Sequence, residues 1–247
     1  MNNVTDLLRS HRSIRKYTEE PISEEVLEDI LSTSQWAPSS HNTQAYSIIT
    51  IKDQQKKQKL STICRGQKYV ANCAIFLVFC VDYYRVHLAA EMNDLSMNIE
   101  ETNDLVTGAV DAALVGENVL IAARSHGIGG VMIGEIRNNL AEVADLLQLP
   151  PFTFPLFGMC LGYPEPTEIP GQKPRLPTPT AIHSETYKTE NMIEELAKYE
   201  IDSASYYTKR TNGLKTTGWT KQISTYMGNR RNIKLKEFIL KQGFDLK

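Results

Sequence analysis

Several features are scarce in this chain, and each scarcity removes a class of function. Cysteine is one: Cys64, Cys73, Cys80 and Cys160 are the only four in 247 residues. They form no CxxC pair and no Cys/His spacing of the zinc-holding kind, so no metal is expected. Two lie in apolar runs, and structural thiols are the reading. Excess charge is also missing. The 27 basic residues face 29 acidic ones, for a net charge of -2. That excludes the broad basic footprint of a nucleic-acid or anionic-membrane binder and confines any anion site to a local cluster. Long hydrophobic runs are lacking too, the longest being Cys73 to Val81, far short of a membrane span. The start, Met1 to Asp6, is polar rather than basic and then apolar, so no secretory signal and a cytoplasmic location are expected. There is no internal repeat.

What is present is an ordinary globular composition, 41% hydrophobic, enough for one substantial core. A helix is predicted over Val4 to Ser10. Ser23 is a good N-cap for a second one, with Glu24 and Glu25 in its first turn and Val26, Leu27, Ile30 and Leu31 on one face. Ser47 to Ile51 and Ala74 to Val81 read as strands, the second apolar enough for burial on both faces. Asp53 to Thr62 is a polar helix between them. A long helix of small and apolar residues runs from about Leu105 to His126 and is predicted to be central. A glycine turn then feeds a short strand through Ile133, Asn138 to Leu147 is helical, and Pro155 to Gly162 is another strand.

Strands alternating with helices point to an α/β or α+β class. Five prolines from Pro164 to Pro177 hold the following stretch extended. Helices are predicted at Asn191 to Glu200, Ala204 to Lys209, Trp219 to Met227 and Lys234 to Gln242. The expected organisation is one domain over 1–247, with a Pro-rich strap at 163–180 and a helical part at 189–247.

Four segments offer donors or cations beside glycine or proline. In His11-Arg12-Ser13-Ile14-Arg15 the two guanidinium forks and a hydroxyl suit a phosphate, although a basic turn is also what a solvated helix end looks like. Pro38 to Gln44 offers small polar groups to a heterocycle, or is an ordinary capping turn, with His41 either functional or decorative. Gly127-Ile128-Gly129-Gly130 lets backbone approach a ligand and Ile128 lie against a flat ring, or simply caps a helix. It lacks the G-x-G-x-x-G dinucleotide spacing. Lys173-Pro174-Arg175 holds two cations apart on a stiff backbone, for a phosphate or for solubility alone.

In order, HRSIRKYT, PISEEVLEDIL, the Ser39-Ser40 loop, GQKYV at Gly66 to Val70, GIGGVMIG, the Arg137-Asn138-Asn139 triplet, Phe154 to Gly158 and KPRLP resemble the nitroreductase family. The likeness is to its NADPH-preferring flavin reductase branch, strong from Leu8 to Pro177 and looser beyond. It implies an α+β fold around a mixed sheet, in an intertwined homodimer with FMN at the interface. Carried over, His11, Arg12, Ser13 and Arg15, with Lys173 and Arg175, would hold the FMN phosphate and ribityl region. Ser39, Gln67, Lys68 and Tyr69 would contact the flavin or its ribityl chain, and Ile128, Gly129 and Gly130 would sit beside the ring. Lys209 and Arg210 are the candidates for gripping NADPH. The helix after Trp219 lacks an arginine pair that a relative carries, and Arg230 and Arg231 come a little later.

The activity implied is FMN-dependent, ping-pong NAD(P)H oxidoreduction of nitro compounds, flavins, quinones or related small acceptors, with NADPH preferred. The chemistry would be the flavin's, so no catalytic side chain is named. The alternative is a flavin-binding module without turnover.

Overall fold

The run Ile75–Asp82, apolar until its last residue, becomes strand β2 and is buried at every position. The computed structural model describes residues 3–99, 102–229 and 234–245. Around β2 lie β1 (Tyr46–Ile51), β3 (Gly129–Ile133) and β4 (Thr153–Gly162), in the order β1-β2-β4-β3. All three seams are antiparallel, so the expected mixed pairing has no parallel member among the described residues. The α+β class stands.

The register of β2 against β4 shifts between Phe79 and Cys80, where Phe79 faces Phe157 but Cys80 faces Pro155. A bulge here absorbs the proline, which has no N–H to give the ladder. The carbonyl freed at Leu156 is taken by the Arg137 guanidinium.

The helices are α1 (Asn3–Arg9), α2 (Glu24–Ser34), α3 (Gln54–Ile63), α4 (Lys68–Asn72), α5 (Tyr84–Glu91), α6 (Thr102–Ser125), α7 (Leu140–Leu147), α8 (Thr178–Ala181), α9 (Met192–Arg210), α10 (Trp219–Gly228) and α11 (Leu235–Lys241). Side chains alternate across the sheet. Leu77 and Phe79 meet α2 and Ala112, Val115, Val119 and Ala123 of α6, whereas Phe76, Val78 and Cys80 meet Leu60 and Ile63 of α3 and Val70 of α4. A smaller cluster joins Tyr83 and Phe154 to Ile239 and Phe244. By length and composition α6 would pass for a membrane span, yet it is a core helix on this face. Ser23 caps α2, its hydroxyl accepting from Val26 N–H at 3.2 Å. All four cysteines are free and buried.

Residues 1–169 with 233–247 form one compact unit, and 170–232 a second. In the second, helices predicted on either side of Ile201 to Ser203 are one continuous α9. Ser203 does not end the helix because its hydroxyl bonds the Glu200 carbonyl at 3.2 Å and accepts from Trp219 N–H at 2.6 Å. The helix predicted from Asn138 begins instead at Leu140, after a tight turn over Gly134–Asn139. Short helices α4, α5 and α8 were not legible, and α8 interrupts the extended path predicted up to Pro179.

Candidate functional site

The segment after α1 is extended, so its side chains alternate. Ile14 points inward and is buried, while Ser13 and Arg15 are half-buried and Arg12 is exposed. The segment lies along β3: Ile14 N–H donates to the Gly130 carbonyl at 3.0 Å. The Tyr17 hydroxyl closes on the Ile14 carbonyl at 2.7 Å, and burial holds its pKa well above the usual tyrosine value.

Close packing on β3 explains two glycines, the first through this contact and the second through β4. A Cβ on Gly129 would stand 2.5 Å from Ile14 Cγ1, and one on Gly130 would stand 2.9 Å from the Cys160 carbonyl oxygen. Ile128, 1% exposed, belongs to the core. The expectation that its side chain lies against a flat ring is therefore corrected, because the core has claimed it.

The same segment meets a third motif. The Arg15 guanidinium carbon lies 5.9 Å from the centroid of the Tyr69 ring. Burial raises the Tyr69 pKa against the opposing effects of a hydrogen bond from Arg15 and its charge. A left-handed turn at Arg65 (φ 60°) and Gly66 (φ 69°) leads into Gln67, the N-cap of α4. Ser61 fixes that turn through the Gln67 carbonyl at 3.0 Å. Gln67 Oε1 is buried with no hydrogen-bond partner. A native buried acceptor left unpaired calls for an explanation, and a bound polar molecule is one. Lys68, next along, is exposed. Three segments distant in sequence thus converge: HRSIR, GQKY and GIGG.

The Ser39 loop has its own supports. Ser39 Oγ accepts from Gln44 N–H at 3.3 Å. The backbone is left-handed at His41, Asn42 and Gln44. Arg85, on α5, donates to the Gln44 carbonyl at 2.9 Å and to Asp82 at 3.0 Å. Asp111, on α6, accepts from both Ser40 and Ala45 N–H groups at 3.1 Å. Sequence reasoning missed Asp111, although a single carboxylate amid Gly108-Ala109-Val110 and Ala112-Ala113 was a signal.

In the second unit Lys173 and Arg175 line a cleft of about 490 Å³ with Tyr199, Tyr206, Tyr207 and Trp219. Two phenols hold the strap that bears them: Tyr199 donates to the Pro174 carbonyl at 3.0 Å and Tyr206 to the Gly171 carbonyl at 2.9 Å. Arg210, in the last turn of α9, donates to the Tyr206 hydroxyl at 3.1 Å, and the neighbouring Lys209 is exposed. Lys215 sits 4.4 Å from the Tyr207 ring centroid. Arg230 and Arg231 lie outside the described residues.

The arrangement has known counterparts. Residues 8–163 match the model of the nitroreductase family, and residues 173–247 match that of the family's C-terminal domain. The FMN reductase (NAD(P)H) of Bacillus subtilis strain 168 is 39% identical over 249 residues, covering 99% of this chain and 98% of that one. The structure of B. megaterium NfrA2 superposes with a TM-score of 0.96 at 35% identity, covering 100% of both chains. The NADPH:FMN oxidoreductase from Vibrio harveyi, solved with NAD+, gives 0.88 at 34% identity, covering 99% of each. With both family models matched in order and relatives similar over their full length, the chain belongs to the nitroreductase family.

Proposed function

We propose that this chain is an FMN-dependent NAD(P)H oxidoreductase acting on small acceptors. The observation that carries the reading is the meeting of three distant segments, through Arg15 over the Tyr69 ring and Ile14 N–H on the Gly130 carbonyl, with the unpartnered buried oxygen of Gln67 in one of them, in a fold that relatives named for FMN share over their whole length.

The residues fit the cofactor's chemistry. Guanidinium forks and a hydroxyl suit a dianionic phosphate. The Gln67 acceptor suits a ribityl hydroxyl or a ring N–H. His11, Arg12, Ser13 and Arg15, with Lys173 and Arg175, are assigned to the phosphate and ribityl region. Ser39, Gln67, Lys68 and Tyr69 are assigned to the flavin and its ribityl chain, and Ile128, Gly129 and Gly130 to the ring, through backbone alone in the case of Ile128. Bound FMN supplies the redox chemistry, accepting hydride from NAD(P)H and passing electrons to the acceptor in a ping-pong cycle. The protein's work is then to orient and to place charge, and no side chain is assigned a proton-transfer role. Lys173 is assigned the positive charge that favours the reduced ring; an unchanged FMN reduction potential in Lys173→Ala would remove that role.

Lys209 and Arg210 are assigned to the extra phosphate of NADPH, which makes NADPH the preferred donor. A homodimer is supported by the stripe Val106, Val110 and Leu114, apolar residues one helical turn apart that α6 leaves exposed. Four unpaired cysteines suit a reducing, cytoplasmic setting. The test is an anaerobic absorbance spectrum before and after NADPH, with NADH in parallel. Bleaching of a yellow protein within the mixing time is expected. Bound flavin that NADPH leaves oxidised would instead mark a binding module without turnover.

A further inference from the structure

Asp111 is a carboxylate 2% exposed on the buried face of α6, among Gly108, Ala112 and Val115. Burying a carboxylate is costly unless it is well bonded, so its position needs a cause. Each of its oxygens takes one backbone N–H, from Ser40 and from Ala45, both at 3.1 Å. The two donors bracket residues 41–44 and the first directly follows Ser39. Between them stand three left-handed residues that are not glycine: His41 at φ 48°, Asn42 at φ 57° and Gln44 at φ 52°. Such backbone persists only where its surroundings over-determine it, and it concentrates at ligand-binding sites. One turn earlier, Gly108 lets α6 pack closely on β2, since a Cβ there would lie 2.5 Å from Val81 Cγ1, and the Ala45 carbonyl oxygen at the loop's end is in ordinary contact at 3.5 Å.

We infer that Asp111 is a positioning residue for the cofactor: its carboxylate clamps Ser40 and Ala45 and so holds the Ser39 loop in the strained shape that presents Ser39 to FMN. This rests on the reading that Ser39 contacts FMN. Asp111 itself touches no cofactor in this account and acts through the loop. A merely structural acid would lower the melting point of the whole unit and leave the FMN affinity of the folded protein alone. The clamp predicts the reverse emphasis.

The experiment is FMN titration, followed by flavin fluorescence, of the wild type, Asp111→Asn and Asp111→Ala, with far-UV circular dichroism as the fold check. Asn keeps one acceptor and Ala none. The dissociation constant is expected to rise in that order, by about tenfold for Ala as charge-assisted bonds are lost. Hydrogen exchange is expected to accelerate at the Ser40 and Ala45 amides while the amides of β2 stay protected. Wild-type FMN affinity in the folded variants, or unchanged exchange at Ser40 and Ala45, would overturn the clamp. Should neither variant fold, exchange in the wild type with and without FMN decides: added protection confined to the loop supports the clamp, and none refutes it. A wild type that takes up no FMN brings down the functional reading itself, and this inference with it.

Discussion

Gly129 and Ile14 touch so closely that a methyl group on the glycine would stand 2.5 Å from Ile14 Cγ1 and 2.8 Å from its Cβ. Gly129→Ala therefore has to push the His11 to Tyr17 segment off β3. Overpacking of this kind costs about 1–3 kcal/mol. A lower thermal midpoint is expected together with weaker FMN binding, because the displaced segment carries the proposed phosphate ligands. Full FMN affinity in Gly129→Ala would separate that segment from the cofactor.

Arg15 is tied to Tyr69 and to the Ser13 carbonyl, so its guanidinium is already oriented before any ligand arrives. Arg15→Gln should loosen FMN by about tenfold or more, the scale of losing a charge-assisted bond. It should also flatten the salt dependence of binding, which a titration at several ionic strengths would show. Riboflavin, lacking the phosphate, should be indifferent to the change.

The Arg210 guanidinium rests on the Tyr206 hydroxyl, accessible to an anion at the end of α9. Steady-state kinetics of Lys209→Ala with Arg210→Ala should show a higher KM for NADPH and little change for NADH. An equal effect on both donors would remove these residues from phosphate recognition.

Leu114 is 38% exposed and Val110 50%, on the same side of α6. Leu114→Glu should place a charge in the proposed subunit interface and halve the mass seen by sedimentation equilibrium. A wild type that is monomeric at micromolar concentration would end the dimer proposal.

Glu200 accepts from Gly218 N–H at 3.0 Å and from Thr220 N–H and hydroxyl at 2.7 and 2.8 Å, capping α10. Burial raises its pKa, but these hydrogen bonds outweigh burial and leave it below the ordinary glutamate value. A depressed carboxylate contributes stability above its unfolded pKa and loses it as pH falls through the folded value. Melting of α10, followed by Trp219 fluorescence, should fall on acidification below about pH 4.3. Glu200→Gln should be less stable at pH 7 and lack that decline.

Most elements were legible because their signals are local: Ser23 before Glu24-Glu25, the apolar run of β2, the small residues of α6. Those missed depend on tertiary support. At five residues, α4 shows no periodicity and leans on the turn at Arg65 and Gly66. The gap predicted between Glu200 and Ala204 closes because the Ser203 hydroxyl bonds the Glu200 carbonyl and Trp219 N–H. At the site, HRSIR and GIGG were visible as motifs, but their contact through Ile14 and Gly130 pairs residues more than a hundred positions apart. Ile128 misled for the same reason, since nothing local separates a side chain that faces a ring from one that faces a core. Asp111 had a signal in its lone charge, but the loop it serves lies 66 to 71 residues away.

The four cysteines sit at 0 to 1% exposure. Thiol chemistry at the surface is therefore blank, and a maleimide dye should find nothing to react with on the native chain. One cysteine introduced at an exposed position such as Trp36 or Ile193 would be the sole reactive handle, so the protein accepts a fluorophore or a spin label at a chosen point without first being stripped of its own sulfur.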